Sequence, residues 1–277
     1  MVTKKNQVLV IASIDGTALA GALKDAKAAG IPVIAYDRLI RSSDAVDYYT
    51  TFDNFKVGVL QGQSLLDGLA ASGAAKPWNV ELFAGSPDDN NAGFFFKGAM
   101  SVLQPKIDDG TIKIGSGETE FNTVATLRWD AAVAKKRMEN ILTKSYGTSD
   151  VHGVLAPYDG LSRGIIAALK GAGYGTGGKK LPVVTGQDAE LESVKMILSG
   201  EQYSTVFKDT KKLAEATVKM IQEIASKSTV TTNDTKTYDN GVKVVPTMLL
   251  DPVSCDKSNI KKILLDAKYY TEAQIGS

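Results

Sequence analysis

The chain has 277 residues, 43% hydrophobic and 23% charged, and its 32 basic and 31 acidic residues leave a net charge of +1. So even a balance holds no clustered positive excess, which argues against a nucleic-acid or membrane-surface role. A single cysteine, Cys255, excludes an intrachain disulfide and reads as a packed residue rather than a reactive thiol. No apolar run approaches the roughly 18–20 residues of a membrane-spanning helix, and the length suits two compact domains.

The basic start, Met1 to Gln7, leads into the apolar run Val8–Ser13. That run is too short for a signal-peptide core and reads as a strand buried on both faces, so this chain is expected to carry no export signal. A helix follows over Ala18–Ala29, closed by Gly30, and then a strand over Ile31–Tyr36. Strand, helix and strand within about 30 residues predict a right-handed βαβ unit in a parallel sheet.

The alternation continues along the chain. Strands are expected at Tyr48–Phe52, Val80–Ala84, Ile112–Ile114, Val151–Ala156, Val183–Thr185 and Tyr203–Phe207. Helices are expected at Asn54–Ala71, Ala92 to about Leu103, Thr126–Lys144, Leu161–Gly171, Leu191–Leu198 and Lys211–Ala225. The polar stretch Thr229–Val245 reads as strand-like, with an Asn240-Gly241 hairpin signal. Val244–Leu250 reads as an edge or crossing strand, because Pro246 cannot donate to a ladder. Ile260–Ala267 is a last helix. The fold class is therefore α/β and doubly wound.

In open α/β sheets, ligands bind beyond the carboxyl ends of the strands. Here those ends carry Asp15, Asp37-Arg38, Asp53-Asn54, Asp88-Asp-Asn-Asn91, Tyr158-Asp159, Gln187-Asp188 and Lys208-Asp209. One such residue is an ordinary helix cap. A whole rim of carboxylates, amides and cations suits a ligand made of hydroxyls.

Catalytic and metal motifs fail on context. Gly160-Leu-Ser162-Arg-Gly164 matches a nucleophile elbow, but the only histidine, His152, precedes the serine instead of following it. Gly173-Tyr-Gly-Thr-Gly-Gly178 lies after a helix and before a strand, the reverse of a dinucleotide fingerprint, and Lys180 stands where a phosphate loop needs Ser or Thr. Asp88–Asn91 resembles a calcium loop, yet Ala92 and Ala99 occupy ligand positions. One His and one Cys do not build a zinc site. Paired glycosidase carboxylates are not identifiable from pattern alone. No enzyme activity, cofactor or metal is expected.

Several segments then point to a family. Ile11–Gly16, Val33-Ile-Ala-Tyr-Asp-Arg-Leu-Ile40, Phe52-Asp-Asn54, Gly85–Ala92, Pro157-Tyr-Asp-Gly160, Gly186-Gln-Asp-Ala189 and Gly241–Pro246 closely resemble the periplasmic xylose-binding and multiple-sugar-binding receptors of ABC importers, collinearly over the whole chain. The resemblance implies a periplasmic-binding-protein type I architecture. Two lobes would be joined by crossings near Thr51–Asn54, Phe207–Asp209 and Pro246–Leu250, closing on a pyranose. The first lobe would hold residues 1–53 and 208–245, and the second 54–207 and 246–277. It implies sugar contacts from Asp37 and Arg38, from Asn91, from Tyr158 or Asp159, and from Asp188. Lys208 would sit at a hinge and Trp129 would cover a sugar face. Tyr158 departs from the amide common at its position. The implied partners are a monosaccharide and either the membrane subunits of an importer or a sensor, in the periplasm or at the cell surface.

Relative to that family, the chain opens at the third strand, short of roughly 50–60 residues. This predicts an incomplete first lobe, weakened sugar affinity and an exposed Val8–Ser13 edge. Self-association through that edge, or completion by a second polypeptide, is the alternative expectation. A sugar-active enzyme and the effector core of a repressor rank below both, the latter because no helix-turn-helix precedes the first strand.

Overall fold

A computed structural model describes residues 2–4 and 6–276. The chain divides into two compact units. The first comprises Met1–Asn54, Asp88–Asn91 and Asp209–Asp251, and the second Phe55–Pro87, Ala92–Lys208 and Pro252–Ser277.

The first unit is built on a parallel sheet ordered β1 (Leu9–Ile11), β2 (Val33–Tyr36), β3 (Tyr48–Phe52) and β9 (Thr247–Leu250). Helix α1 (Ala20–Ala28) joins β1 to β2, completing the expected βαβ unit. Its sequence buries Leu23 and Ala26 on one face. Gly30, at φ +65, turns the chain into β2 in the left-handed conformation that glycine adopts without strain. β2 and β3 carry the core: Val33, Ile34, Ala35 and Tyr49 are fully buried. Helix α8 (Thr210–Ala225) packs on β3 and β9, burying Leu213, Thr217 and Met220. β1 is an edge strand, and Val10 on it is exposed.

The second unit holds a parallel sheet ordered β5 (Ile112–Ile114), β4 (Trp78–Leu82), β6 (Gly153–Leu155) and β7 (Val183–Val184). A separate antiparallel pair joins β8 (Ser204–Phe207) to β10 (Val253–Asp256). Its helices are α2 (Asn54–Ala71), α3 (Asn90–Asp108), α4 (Phe121–Val124), α5 (Ala131–Ser145), α6 (Asp159–Gly171), α7 (Leu191–Ser199), α9 (Ile260–Asp266) and α10 (Glu272–Ile275). Helices α5 and α6 pack together over a core that includes Met138, Ile165 and Leu169. Cys255 is fully buried, and burial pushes its thiol up to about 12, as suits a packed residue.

Three expectations need correction. The helix expected over Thr126–Lys144 is interrupted: Arg128 and Trp129 take φ of 58 and 56, and α5 starts afresh after Asp130, whose carboxylate caps Ala132 N at 2.7 Å. The stretch Thr229–Val245 forms no ladder, only the isolated bridges Asp234↔Thr247 and Asp239↔Val244. Its polar side chains satisfy the backbone instead, with Asp234 accepting from Lys236 N and Thr237 N and Asn240 from Val242 N and Lys243 N. Residues 246–251, assigned to the second lobe, belong to the first unit because β9 pairs in parallel with β3. Pro246 lies just before that ladder, as an edge strand allows.

Helices α2 and α3 approach closely through glycines. A Cβ on Gly58 would lie 1.9 Å from Phe95 O, and one on Gly98 2.0 Å from Phe55 O. Neither obstacle is a flexible side chain, so backbone would have to move. G58A is therefore expected to lower unfolding stability by roughly 2 kcal/mol or more. G93A, on α3 with open space around it, should be neutral or stabilising by up to about 1 kcal/mol. Urea unfolding of both variants checks this; equal effects would contradict it.

Candidate functional site

In the first unit, candidate residues gather where β2 and β3 end. Asp37 directly follows β2 at φ 64, a left-handed conformation that short polar residues tolerate best. Its carbonyl accepts from Tyr49 Oη at 2.7 Å, Thr51 Oγ1 at 2.9 Å and Asn91 Nδ2 at 2.9 Å. With the backbone so held, the half-exposed Asp37 carboxylate is presented on a fixed stem. Arg38 is anchored at both ends, its Nε to Asp89 Oδ2 at 3.1 Å and its Nη1 to Ile14 O at 3.0 Å, and it stays 30% exposed.

Asn91 is a different matter. It is 3% exposed, and its Oδ1 accepts from Tyr49 Oη at 3.0 Å and Asn54 Nδ2 at 3.1 Å while its Nδ2 serves Asp37 O. The amide expected to touch a ligand is used internally, tying residues 88–91 to the ends of β2 and β3. Its neighbour Asn90 is the better candidate. It is half-buried, and its Nδ2 is shielded with no hydrogen-bond partner among the described residues. Such a donor needs a water or a ligand.

In the second unit, Trp129, Tyr158, Asp188 and Lys208 are brought together. Residues 125–129 are fastened to the end of β4 by Thr126 N to Ala84 O at 3.0 Å and Arg128 N to Ser86 Oγ at 2.8 Å. This lays the Trp129 indole over Gly85, where a Cβ would stand 1.9 Å from the ring. Phe95 and Tyr158 meet the indole edge-on, with centroids 6.3 and 6.0 Å away. Lys208 is 11% exposed, pairs with Asp188 Oδ1 at 3.1 Å and lies 5.6 Å from the Phe95 centroid. Asp188 keeps 36% exposure at φ 91, followed by Ala189 at φ 49. Tyr158 Oη donates to Glu190 Oε1 at 2.5 Å, and Glu190 Oε2 pairs with Arg163 at 2.5 Å. Burial raises the Tyr158 phenol above its usual range, and Glu190 adds to the shift.

Asp159, the alternative to Tyr158 as a contact, is turned inward and fully buried. Its Oδ1 accepts from Gln202 Nε2 and Thr205 Oγ1, both at 2.9 Å, and its Oδ2 from Glu190 N at 2.8 Å. As the first residue of α6 it faces the sheet, so its carboxylate is committed to the protein. Ser162 is equally spent: its hydroxyl donates to Thr185 O at 2.7 Å, and His152 Nδ1 accepts from Asn79 N at 2.9 Å.

Sequence reasoning placed Asn90 on the rim but chose Asn91 as the contact, and it missed Phe95, Glu190 and the steric role of Gly85. Thr126 Oγ1 and Gln187 Oε1 are among the other shielded atoms that lack partners among the described residues. Both belong to the loops that hold Trp129 and Asp188. Glycine before a turn and a run of three phenylalanines were the available signals, and neither is specific.

Parallel α/β sheets with strand-end carboxylates, amides, cations and an aromatic wall are features of a small-molecule binding protein. A family model described as a periplasmic binding protein domain matches residues 1–229. The chain belongs to the periplasmic binding protein family. It is 58% identical over 275 residues to the multiple sugar-binding periplasmic receptor ChvE of Rhizobium radiobacter, covering 99% of this chain and 78% of that protein. It is 59% identical over 274 residues to the multiple sugar-binding periplasmic protein SbpA of Azospirillum brasilense, covering 99% and 76%. A solved ABC transporter solute-binding protein from Clostridium phytofermentans, with β-D-glucose bound, superposes with a TM-score of 0.92 at 43% identity, covering 100% of this chain and 84% of that one.

Burial pushes the Asp159 carboxyl up to about 8; the nearby Asp188 charge adds to this, while donors from Gln202, Glu190 and Thr205 oppose it. A carboxyl raised in the folded state favours folding most when protonated. Its contribution is full below its unfolded value near 4 and is lost as pH rises through about 8. The melting temperature of the wild type, relative to that of D159N, should therefore fall between about pH 5 and pH 9. Scanning calorimetry across that window tests it; a constant difference between the two proteins would contradict it.

Proposed function

We infer that this chain is a non-enzymatic receptor for a monosaccharide, an aldopentose or aldohexose, which it presents to an importer or sensor in the periplasm. The observation that carries this reading is the Lys208–Asp188 pair beside the wall of Trp129, Tyr158 and Phe95. A carboxylate accepts from adjacent sugar hydroxyls, an ammonium donates to hydroxyl and ring oxygens, and an aromatic face packs on sugar C–H groups. Asp37, Arg38 and Asn90, in the first unit, are also proposed as sugar contacts. The likeness to multiple-sugar-binding receptors and to a glucose-bound solute-binding protein supports the ligand class.

The energetics suit a small polar ligand. Micromolar affinity corresponds to about −8 kcal/mol. Spread over the roughly 12 heavy atoms of a hexose, that is about −0.7 kcal/mol per atom, inside the ceiling for very small ligands. Such efficiency requires several charge-assisted hydrogen bonds at once. A receptor of this type also needs no general base.

D-glucose, D-galactose, D-xylose and L-arabinose are the ligands to test. At a hundredfold excess over Kd, a bound sugar stabilises the protein by about 2.7 kcal/mol, raising the melting temperature by roughly 5 °C or more. Calorimetry should show D188N and W129A each binding at least tenfold more weakly, with the sugar recovered chemically unchanged. Absence of a thermal shift with all four sugars would sink the assignment.

A further inference from the structure

We propose that the buried Asp159–Thr205 pair is a positioning device: it holds the turn at residues 187–190 so that Asp188 faces its ligand, and thereby sets sugar affinity without touching sugar. The inference rests on the reading of Asp188 as a ligand contact.

Asp188 sits on a backbone that does not hold its own shape. It and Ala189 both take positive φ, at 91 and 49. Two consecutive non-glycine residues in that region are strained and persist only where surrounding contacts over-determine them. Those contacts are present on every side of the turn. Asp188 N donates to Val206 O at 2.9 Å, and Val206 N returns to Gly186 O at 3.2 Å. Ala189 N donates to Thr205 Oγ1 at 3.1 Å, and that same hydroxyl donates to Asp159 Oδ1 at 2.9 Å. Glu190 N donates to Asp159 Oδ2 at 2.8 Å, and Asp159 N donates to Gln187 O at 3.0 Å. Both residues after Asp188 are thus bonded, directly or through one hydroxyl, to one carboxylate, and the residue before it is bonded to the backbone N–H of the same aspartate.

The site is built around this carboxylate. Asp159 and Thr205 are both fully buried, so neither has exposed surface to offer a ligand. Gly186 makes the room: a Cβ there would lie 2.1 Å from Asp159 Oδ1 and 2.4 Å from Gln202 Nε2. A buried carboxyl group with no cation at hydrogen-bond distance among the described residues is an expensive way to fill a core. Its three donors all come from residues 190, 202 and 205, which are the turn itself and the strand beneath it. Asp188, in contrast, pairs with Lys208 and keeps over a third of its side chain exposed. The carboxylate that meets the ligand and the buried carboxyl group that holds the turn are separate residues.

Thr205 gives the cleanest test. T205V keeps the volume and removes the hydroxyl that accepts from Ala189 N and donates to Asp159. T205S keeps the hydroxyl. Sugar binding is measured by calorimetry with D-glucose and D-xylose, and hydrogen–deuterium exchange is followed at residues 187–190. T205V is expected to bind at least tenfold more weakly, with faster exchange at Ala189 and Glu190. T205S should stay within about threefold of wild type. D159N, which gives Asp159's partners an amide with one acceptor in place of two, should weaken binding in the same range. The double variant should be no worse than the weaker single one, because both act through one turn.

The proposal is overturned if T205V binds as wild type does, if T205S is as impaired as T205V, or if affinity falls with exchange at 189–190 unchanged. D188N separates the two readings. Impaired D188N with unimpaired T205V leaves Asp188 as a contact and removes the positioning role. D188N that binds like wild type removes the contact, and the positioning role with it.

Discussion

A strand that ends in a functional side chain must also satisfy the backbone that carries it. In this protein that requirement falls on a few buried polar groups. In the first unit the carbonyl of Asp37 receives three donors, from Tyr49, Thr51 and Asn91. In the second, the carboxylate of Asp159 receives three donors from beneath the Asp188 turn. Remove either set and a left-handed, non-glycine backbone loses the contacts that oppose its strain. The exposed carboxylates of Asp37 and Asp188 depend on this buried scaffolding, and so does every argument about what they bind.

The same division of labour explains where polar residues are spent. Asn91 and Asp159 resemble ligand contacts by residue type, and both are consumed by the protein. Satisfying a buried polar group stabilises modestly, about 1 kcal/mol net, but leaving it unsatisfied costs more. Once folding has buried these groups, their hydrogen bonds are obligatory. The groups proposed to meet a ligand lie at the margin: an aspartate and a lysine paired with each other, an arginine held through its Nε and Nη1, and an asparagine whose amide nitrogen is shielded and unpartnered among the described residues.

Much of the architecture was legible because it rests on hydrophobic period. Tyr48–Phe52, Asn54–Ala71 and Ile112–Ile114 are read with their ends in place, since a buried strand or an amphipathic helix is a pattern of apolar spacing. What failed to show rests on single backbone angles or single rotations. The Thr126–Lys144 pattern is helical in spacing, yet the sign of φ at Arg128 and Trp129 has no hydrophobic signature. Asn90 and Asn91 are adjacent on a helix, so about 100° of rotation separates the inward amide from the outward one. Tyr158, extended at the N-cap of α6, and Asp159, its first residue, also turn in different directions. The residue types and loops of the site were readable; which of two neighbours turns inward was not.

That ambiguity has a physical consequence for how the protein recognises its ligand. Trp129, at φ 56, is bulky for the left-handed region, and it is held there by bonds from Thr126 and Arg128 to the end of β4 and by the absence of a side chain at Gly85. Its orientation is therefore set before a ligand arrives, as is that of Asp188. Ordering a rotamer-rich side chain on binding costs about 0.5–1.5 kcal/mol each, a large fraction of what a hexose-sized ligand has to give. Folding meets that cost in advance by storing strain in turns that the core already fixes. Affinity for a small, hydrophilic ligand then follows less from the number of contacts than from how few of them still have to be ordered.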